Sequence, residues 1–239
     1  MSTVNGPDPS GAKGPSVPRG REELRARLID AAMRLLASGG PEAVQARKLA
    51  SEVGASTMAV YTHFSGMSEL FEAIVRQGFI WLTSHVEAVP RTEDSMADFF
   101  IQGLAYRDWA LENDQLYRLM FGLSGASLPG RVAQDITRAG TISSLSEGQV
   151  AFDVMVRSVD RVKASRRIGP VNPVSAAGQF LSATHGYVLM EMAGYFDRDG
   201  QGVAWVLGPL AVSLMVGLGA SREDVESSII TALAARGIQ

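Results

Sequence analysis

Residues 46–64 read ARKLASEVGASTMAVYTHF, and they carry the strongest structural signal in the chain. Apolar residues recur at helical spacing up to Val53, and Gly54 then breaks the pattern. Ser56 is a typical N-cap for a second short helix that reaches His63. Two short helices joined by a glycine-containing turn predict a helix-turn-helix, whose second helix presents its outer face to the DNA major groove.

The outer face of the second helix supplies the predicted base contacts. Its side chains are small or adaptable, so the helix can approach base edges closely, and a threonine methyl can touch a thymine methyl. Basic side chains at the start of the first helix, and hydroxyl and imidazole groups at the end of the second, are placed to meet phosphates. The predicted DNA contacts are Arg47, Lys48, Ser56, Thr57, Met58, Tyr61, Thr62 and His63.

Other roles stay open for these residues. The region could be a small three-helix bundle without a DNA role, although the helix lengths and the glycine turn argue against it. His63 could cap or pack rather than bind phosphate, and Met58 could be partly buried. Arg47 could pair with Glu42 or Glu52.

The rest of the chain also has helical periodicity. An amphipathic helix is predicted from Arg21 to Gly39, and a long one from Met67 to Ala88. Further helices are predicted over 96–112, 116–121, 150–167, 173–196 and 203–218. No period-2 pattern of strand length occurs, so the predicted class is all-α. We expect a disordered arm at 1–20, a DNA-binding domain at 21–81 and a larger domain at 82–239.

The stretch from Arg21 to Ile80 resembles the DNA-binding head of the tetracycline-repressor (TetR) family. The matching features are Arg47, Leu49, Ala50, Gly54, Ser56, Val60, Tyr61, His63, Phe64, Glu69 and Leu70. The family usually has lysine at the first position of the fourth helix, where it meets a phosphate, whereas this chain has Met67. Arg47 and the arm residues Arg19 and Arg21 are the predicted substitutes. The resemblance implies a homodimer that binds a palindromic double-stranded DNA operator and responds to a small molecule.

Residues 174–220 contain few charges, since only Glu191, Asp197, Arg198 and Asp199 are ionised among 47 residues. Two helices so poor in charge cannot both face water comfortably. They could form the core of a large domain, or pair with their copies in a second subunit as a four-helix bundle. The resemblance implies the second arrangement, so a homodimer through 174–220 is predicted.

The middle helices are rich in aromatic and methionine side chains. Such stripes are usually plain core, and the resemblance is what favours a ligand cavity here. The predicted pocket residues are Phe99, Tyr106, Trp109, Met120, Phe121, Met155, Phe180 and His185.

Composition excludes several classes of protein. The chain has 239 residues, a net charge of −3 and no cysteine, so disulfide scaffolds, cysteine zinc sites and thiol catalysis are ruled out. The histidines at 63, 85 and 185 have no metal spacing, and no catalytic motif or cofactor fingerprint is complete. The absence of an apolar leader predicts a cytoplasmic protein. Val203 to Ala220 carries no charge over 18 residues, but its Gly208-Pro209 break favours a buried helix over a membrane anchor.

The charge of the chain is unevenly distributed. Residues 1–76 hold 9 basic and 8 acidic side chains, and residues 77–239 hold 13 basic and 17 acidic side chains.

The predicted function is a non-enzymatic transcriptional regulator, most simply a repressor that a small apolar effector releases from its operator. The alternative is an all-α ligand-binding or scavenging protein with a non-functional head, which Met67 favours.

Overall fold

The computed structural model describes residues 19–126, 128 and 132–237. The helices are α1 (Arg19–Gly39), α2 (Ala46–Val53), α3 (Thr57–His63), α4 (Met67–Glu87), α5 (Ser95–Glu112), α6 (Asp114–Met120), α7 (Ile136–Ala139), α8 (Ser146–Ala164), α9 (Pro173–Met192), α10 (Gly208–Gly217) and α11 (Arg222–Ala235). Within these ranges there is no strand, and the one β-type pairing is an isolated antiparallel bridge between Ala133 and Ser143. The predicted all-α class is confirmed.

Helices α1, α2 and α3 form a compact head, and the turn between α2 and α3 has a local cause. Gly54 ends α2 in the left-handed conformation at φ 66°, which residues with a Cβ rarely adopt. The Ser56 side chain then caps α3 by accepting a hydrogen bond from the Ala59 backbone N–H at 3.2 Å. The turn chemistry therefore sets the direction in which α3 leaves α2.

Helix α4 connects the head to the rest of the molecule. Its apolar face buries Leu70 and Ile74 among head residues, and further along it buries Phe79 and Leu82 among body residues. One continuous apolar core therefore runs from the head into the body, across the predicted boundary at residue 81.

The body consists of α4 to α11, with α5, α6 and α8 packed on α4, and α9 packed on α5 and α8. Two contacts show that α5 and α11 run parallel. Asp94 before α5 accepts a hydrogen bond from Ser228 on α11. Asp108 near the end of α5 pairs with Arg236 just after α11. The buried Glu191 on α9 accepts a bidentate hydrogen bond from Arg107 on α5, with the Nε–Oε2 distance 2.8 Å. The two side chains therefore form a buried ion pair that joins α5 to α9.

Proline changes the geometry of the charge-poor segment. The sequence predicts one helix over 203–218, but residues Val203–Leu207 form a π-helical turn before α10 begins at Gly208. Pro209 lacks the N–H of a regular helix, and its ring would clash with the carbonyl four residues earlier. The wider π turn removes that conflict. No helix in the described ranges combines the length and apolar character that crossing a bilayer requires.

Several predicted helix limits differ from the observed ones. Helix α1 begins at Arg19 rather than Arg21, so the last two residues of the predicted arm are helical, while residues 1–18 lie outside the described part. Helix α8 begins at Ser146, four residues before its predicted start at Val150. Helix α9 ends at Met192, four residues before its predicted end at Phe196. Helix α11 is absent from the prediction, although its capping serine, Ser221, is an N-terminal signal.

Candidate nucleic-acid interface and effector cavity

The predicted base contacts lie together on the outer face of α3. Met58 is 73% exposed and Tyr61 is 50% exposed. Ser56, Thr57 and Thr62 are also exposed, whereas His63 in the last turn is half-buried. The opposite face of α3 buries Val60 against the head core, so burial fixes which side of the helix faces outward.

Some polar atoms of this face already have partners inside α3. The Thr62 hydroxyl donates to the Met58 carbonyl at 2.9 Å, and Ser56 Oγ serves as the cap. These two side chains retain acceptor capacity, since a hydroxyl oxygen has two lone pairs. Thr57 and Tyr61 make no side-chain hydrogen bond within the described residues, so their hydroxyls can meet DNA without breaking an internal contact.

Two cations stand at the start of α2 with no internal partner. Arg47 and Lys48 are exposed, and neither forms an ion pair with any residue that the structure describes. The possible pairing of Arg47 with Glu52 does not occur, because Glu52 pairs with Arg34 at 3.3 Å instead. An exposed guanidinium or ammonium without a carboxylate partner is suited to a phosphate.

Three arginines of α1 hold the helix-turn-helix in place, and the sequence prediction missed this bracing role. Arg27 donates to the Val53 carbonyl at the end of α2 at 2.6 Å, and Arg21 donates to the Thr62 carbonyl of α3 at 3.4 Å. The Arg25 guanidinium lies 5.0 Å from the centre of the Phe64 ring, within cation–π range. Arg21 and Arg19, both predicted as arm contacts, belong to α1.

The start of α4 is the point where this head departs from the family pattern. Met67 is half-buried and packs against the head core, so it replaces a charged side chain with an apolar contact. Glu69 accepts the Ser65 backbone N–H at 2.7 Å, and this hydrogen bond lowers the pKa of the Glu69 carboxyl. The turn before α4 is therefore held by Glu69 rather than by residue 67.

The body encloses a small apolar cavity, which we call the inner cavity. Its volume is about 70 Å³, and α4, α5, α8 and α9 supply most of its wall. Five predicted pocket residues line it: Phe99, Tyr106, Phe121, Met155 and Phe180. Trp109 and Met120 are instead buried in the core beside it, and His185 lies outside the lining.

Polar groups in the wall of the inner cavity were not predicted. Thr83 Oγ1 on α4 is buried and has no hydrogen-bond partner in the part of the chain that the structure describes, whereas Gln102 on α5 accepts from Ser158 at 2.5 Å. A polar residue on the inward side of an amphipathic helix is the sequence signal that could have identified both. No lining residue carries a charge, so the cavity suits a neutral molecule.

A chain of buried polar groups leads from the inner cavity to α9. Tyr106, in the cavity wall, lies 2.7 Å from the Tyr117 hydroxyl, and that hydroxyl lies 2.5 Å from His185 Nδ1. Burial lowers the pKa of His185 and raises those of both tyrosines. All three groups are therefore neutral near pH 7, and the direction of both hydrogen bonds depends on which ring nitrogen of His185 carries the proton.

A helix-turn-helix head on an all-α body with an internal cavity is the architecture of a DNA-binding regulator, and two family models match the chain. Residues 28–74 match the family model for bacterial regulatory proteins of the tetR family, and residues 99–206 match that for the tetracycline repressor-like C-terminal domain. Together the two matches cover more than half of the chain. The chain belongs to the TetR family.

Individual relatives are similar over different lengths. The nicotine-responsive transcriptional repressor HdnoR of Paenarthrobacter nicotinovorans is 35% identical over 85 residues, 36% of this chain and 41% of that repressor. The chain thus spans about two fifths of that relative. The structure of a protein of unknown function from Rhodococcus sp. RHA1 is 27% identical to this chain, with a TM-score of 0.66. The match covers 82% of this chain and 95% of the Rhodococcus chain. The resorcinol complex of RolR shares the fold at 16% identity, with a TM-score of 0.59 over 88% of this chain and 95% of the RolR chain.

Within the described residues no group of acidic or histidine side chains could hold a metal ion.

The buried imidazole predicts a pH-dependent stability. Because the folded pKa of His185 lies below its ordinary value, the unfolded chain binds a proton more readily near pH 6. Stability is therefore fully present above pH 6.5 and falls as the pH drops toward the folded pKa, by at most about 1.4 kcal/mol per pH unit. Urea unfolding at pH 7.5, 6.5 and 5.5 should show this slope in the wild type and lose it in His185→Gln.

The matched control is His85→Gln, since His85 is an exposed histidine on α4. This variant should keep the wild-type slope. A His185→Gln variant that kept the slope between pH 7.5 and 5.5 would assign it to another group.

Proposed function

We propose that the protein is a homodimeric, sequence-specific DNA-binding transcriptional repressor that a small neutral effector releases from a palindromic operator. The proposal rests above all on one observation: the outer face of α3 is exposed together with Arg47 and Lys48, two cations that form no ion pair within the described residues. Its action is binding and release without a catalytic step, and it takes place in the cytoplasm beside the chromosome.

The residues of α3 and α2 have separate tasks in this proposal. Thr57, Met58, Tyr61 and Thr62 face the major groove, where hydroxyls meet base edges and methyl groups meet thymine. Arg47 and Lys48 bind phosphates and set the position of the helix on the duplex. Ser56 and His63, at the two ends of α3, lie nearest the DNA backbone. Arg21 and Arg19, at the start of α1, are the further candidates for phosphate contacts.

A dimer face is supported by the outer sides of α9 and α10. Exposed residues of α9 follow one helical stripe without a charge: Ser175, Gln179, Ser182, Gly186 and Met190. Near α10, Trp205 is 81% exposed, and Leu210 and Tyr195 are exposed as well. An uncharged face with small residues and an exposed tryptophan is suited to a symmetric interface between two copies. Two heads can then occupy successive major grooves, roughly 34 Å apart.

The inner cavity supports the effector role. Its walls are apolar, and Thr83 Oγ1 is a buried hydroxyl without a partner among the described residues, so the lining matches a small molecule with one hydrogen-bonding group. At about 70 Å³ the cavity is smaller than the roughly 150 Å³ that holds a benzene, so such a molecule enters only by pushing the walls apart. A phenol has this chemistry, and RolR, which shares the fold, binds resorcinol. Phe79, Leu82 and Thr83 belong to α4, so filling the cavity displaces the helix that also carries the head core. The spacing of the two heads then no longer matches the operator.

The alternative is a ligand-binding protein whose head does not bind DNA. The apolar Met67 favours it, since a charged group at the start of α4 would contact a phosphate. The two proposals differ in whether the head cations contribute to DNA affinity.

Removing the head cations tests DNA binding. Arg47→Ala and Lys48→Ala should each weaken binding to the DNA upstream of the chain's own gene roughly tenfold at moderate salt, because each removes one phosphate contact per subunit. In a dimer, the slope of log affinity against log salt should also become shallower by roughly 2 for each substitution. Fluorescence anisotropy across a salt series measures both quantities.

Arg138→Ala is the matched control, because Arg138 is an exposed arginine on α7 of the body. It should leave affinity and slope unchanged. If both head variants bound like the wild type, or if the wild type showed no sequence preference, the scavenging proposal would replace the repressor.

A charge in the uncharged face tests the dimer. Trp205→Asp should convert a dimer into a monomer, because closing the interface would bury an unpaired carboxylate. Sedimentation velocity reports the mass, and Val150→Glu is the control, since Val150 is exposed on α8 outside the face. A Trp205→Asp protein that stays dimeric, or a wild type that is monomeric, contradicts this interface.

Replacing the unpaired hydroxyl tests the effector cavity. Thr83→Val keeps the shape of the side chain and should weaken the binding of resorcinol about fivefold in calorimetry, since one neutral hydrogen bond contributes about 1 kcal/mol. Thermal stability should not fall, because the hydroxyl has no protein partner.

Thr141→Val is the control, because Thr141 Oγ1 is likewise buried without a partner but lies outside the cavity lining. Equal losses in both variants would remove the specific role of Thr83. If neither resorcinol nor phenol bound the wild type, the effector would belong to another chemical class.

A further inference from the structure

A second, larger cavity lies on the other side of α5, and we call it the outer cleft. Its volume is about 760 Å³, against about 70 Å³ for the inner cavity. Its walls come from α5, α10 with the preceding π turn, and α11. Phe99, Gly103, Phe180 and Thr184 line both spaces, and the Phe99 and Phe180 rings pack edge to face with centroids 4.7 Å apart. The aromatic pair therefore belongs to the wall that the two cavities share.

The outer cleft has polar ends and an apolar middle. Helix α11 shows this most clearly, since one stripe of its residues lines the cleft: Arg222, Glu226, Ile229, Leu233 and Arg236. The span from Glu226 to Arg236 is about 15 Å at the helical rise per residue. Leu104 of α5 and Leu207 before α10 face the apolar middle. This shape suits an elongated molecule better than a compact one.

One polar end has a hydrogen-bond donor to spare. Arg107 donates to Glu191 and to Asp108, and Arg236 Nη2 pairs with Asp108, so two guanidinium groups and two carboxylates balance in charge. Arg236 Nη1, however, is buried and has no hydrogen-bond partner among residues 19–126, 128 and 132–237. An unsatisfied buried donor of a charged group is costly, so an acceptor at this point is stabilising.

The Arg107 guanidinium is held rigidly at this end of the cleft. Burial alone would lower its pKa, but its hydrogen bonds with Glu191 leave the pKa above the ordinary value. Arg107 is therefore a permanent cation beside Asp108. The position of Asp108, and through it that of Arg236, is thus determined before any ligand arrives.

We propose that the outer cleft is a second small-molecule site, separate from the effector cavity, that binds an elongated amphipathic carboxylate. The carboxylate accepts a hydrogen bond from Arg236 Nη1, and the apolar chain lies along Leu104, Leu207 and Leu233. Nothing in the proposed repressor function requires this site. The two proposals can fail separately, since binding to the outer cleft is measured without DNA.

Calorimetry with three probes of equal chain length tests the headgroup. Dodecanoate, dodecan-1-ol and dodecylamine are titrated into the full-length protein below their aggregation concentrations. Dodecanoate should bind most tightly and dodecylamine least, because the spare group is a cationic donor. No binding of dodecanoate, or equal or tighter binding of the amine or the alcohol, overturns the proposal.

Substitutions place the bound molecule. Arg236→Met keeps the length of the side chain without the guanidinium, so dodecanoate affinity should fall at least about tenfold while dodecanol affinity stays the same. Ala211→Trp fills the apolar middle and should abolish binding of both. Thr83→Val, a substitution in the inner cavity, should leave the affinities for dodecanoate and for dodecanol unchanged.

Competition and folding controls complete the test. Resorcinol should not displace dodecanoate, and displacement would place both in one cavity and overturn the proposal. Circular dichroism and thermal unfolding show whether each variant folds. If Arg236→Met does not fold, Arg236→Lys keeps the charge opposite Asp108 without the second nitrogen, and an undiminished dodecanoate affinity in that variant would overturn the assignment.

Discussion

The continuous apolar face of α4 is the constraint on which the rest of the molecule depends. Its first half completes the core under the helix-turn-helix through Leu70 and Ile74, and its second half closes the inner cavity through Phe79 and Leu82. Because packed cores are not continuously deformable, a displacement at the cavity end moves the head end as well.

Gly78 of α4 lets α6 pack closely, since a Cβ there would lie 2.6 Å from Met120 Sδ. Helix α6 in turn packs on α1, so the head is supported from two sides.

Coupling between cavity and head needs a difference in free energy between two arrangements. An effector shifts that balance only by the difference in its affinity for them, typically 1–3 kcal/mol. The buried chain from Tyr106 through Tyr117 to His185 connects the same cavity to α9. The cavity thus contacts both the helix that carries the head and a helix of the proposed dimer face, which are the two elements that set head spacing.

The distribution of ion pairs explains how an acidic protein can bind DNA in the proposed way. Body arginines at 76, 107, 161, 167 and 236 all form ion pairs with carboxylates, whereas Arg47 and Lys48 of the head form none within the described residues. The net charge of −3 therefore understates the charge available on the head surface. With few free cations, non-specific DNA affinity should be modest, and specific binding depends on the dimer and a few placed contacts.

The helix-turn-helix could be predicted from local sequence, because Gly54 and Ser56 act through local backbone geometry and the spacing of Val53 and Val60 defines one buried side. The all-α class could be predicted for the same reason, since helical periodicity is a local property. Long-range packing, by contrast, determines which polar groups lack a partner among the described residues. The partners of Arg47, Thr83 and Arg236 would come from residues distant in the chain, so spacing could not reveal that Glu52 pairs with Arg34 or that Arg236 Nη1 has no acceptor. The two cavities could not be predicted from sequence spacing either, because their walls combine residues from helices that meet only through long-range packing.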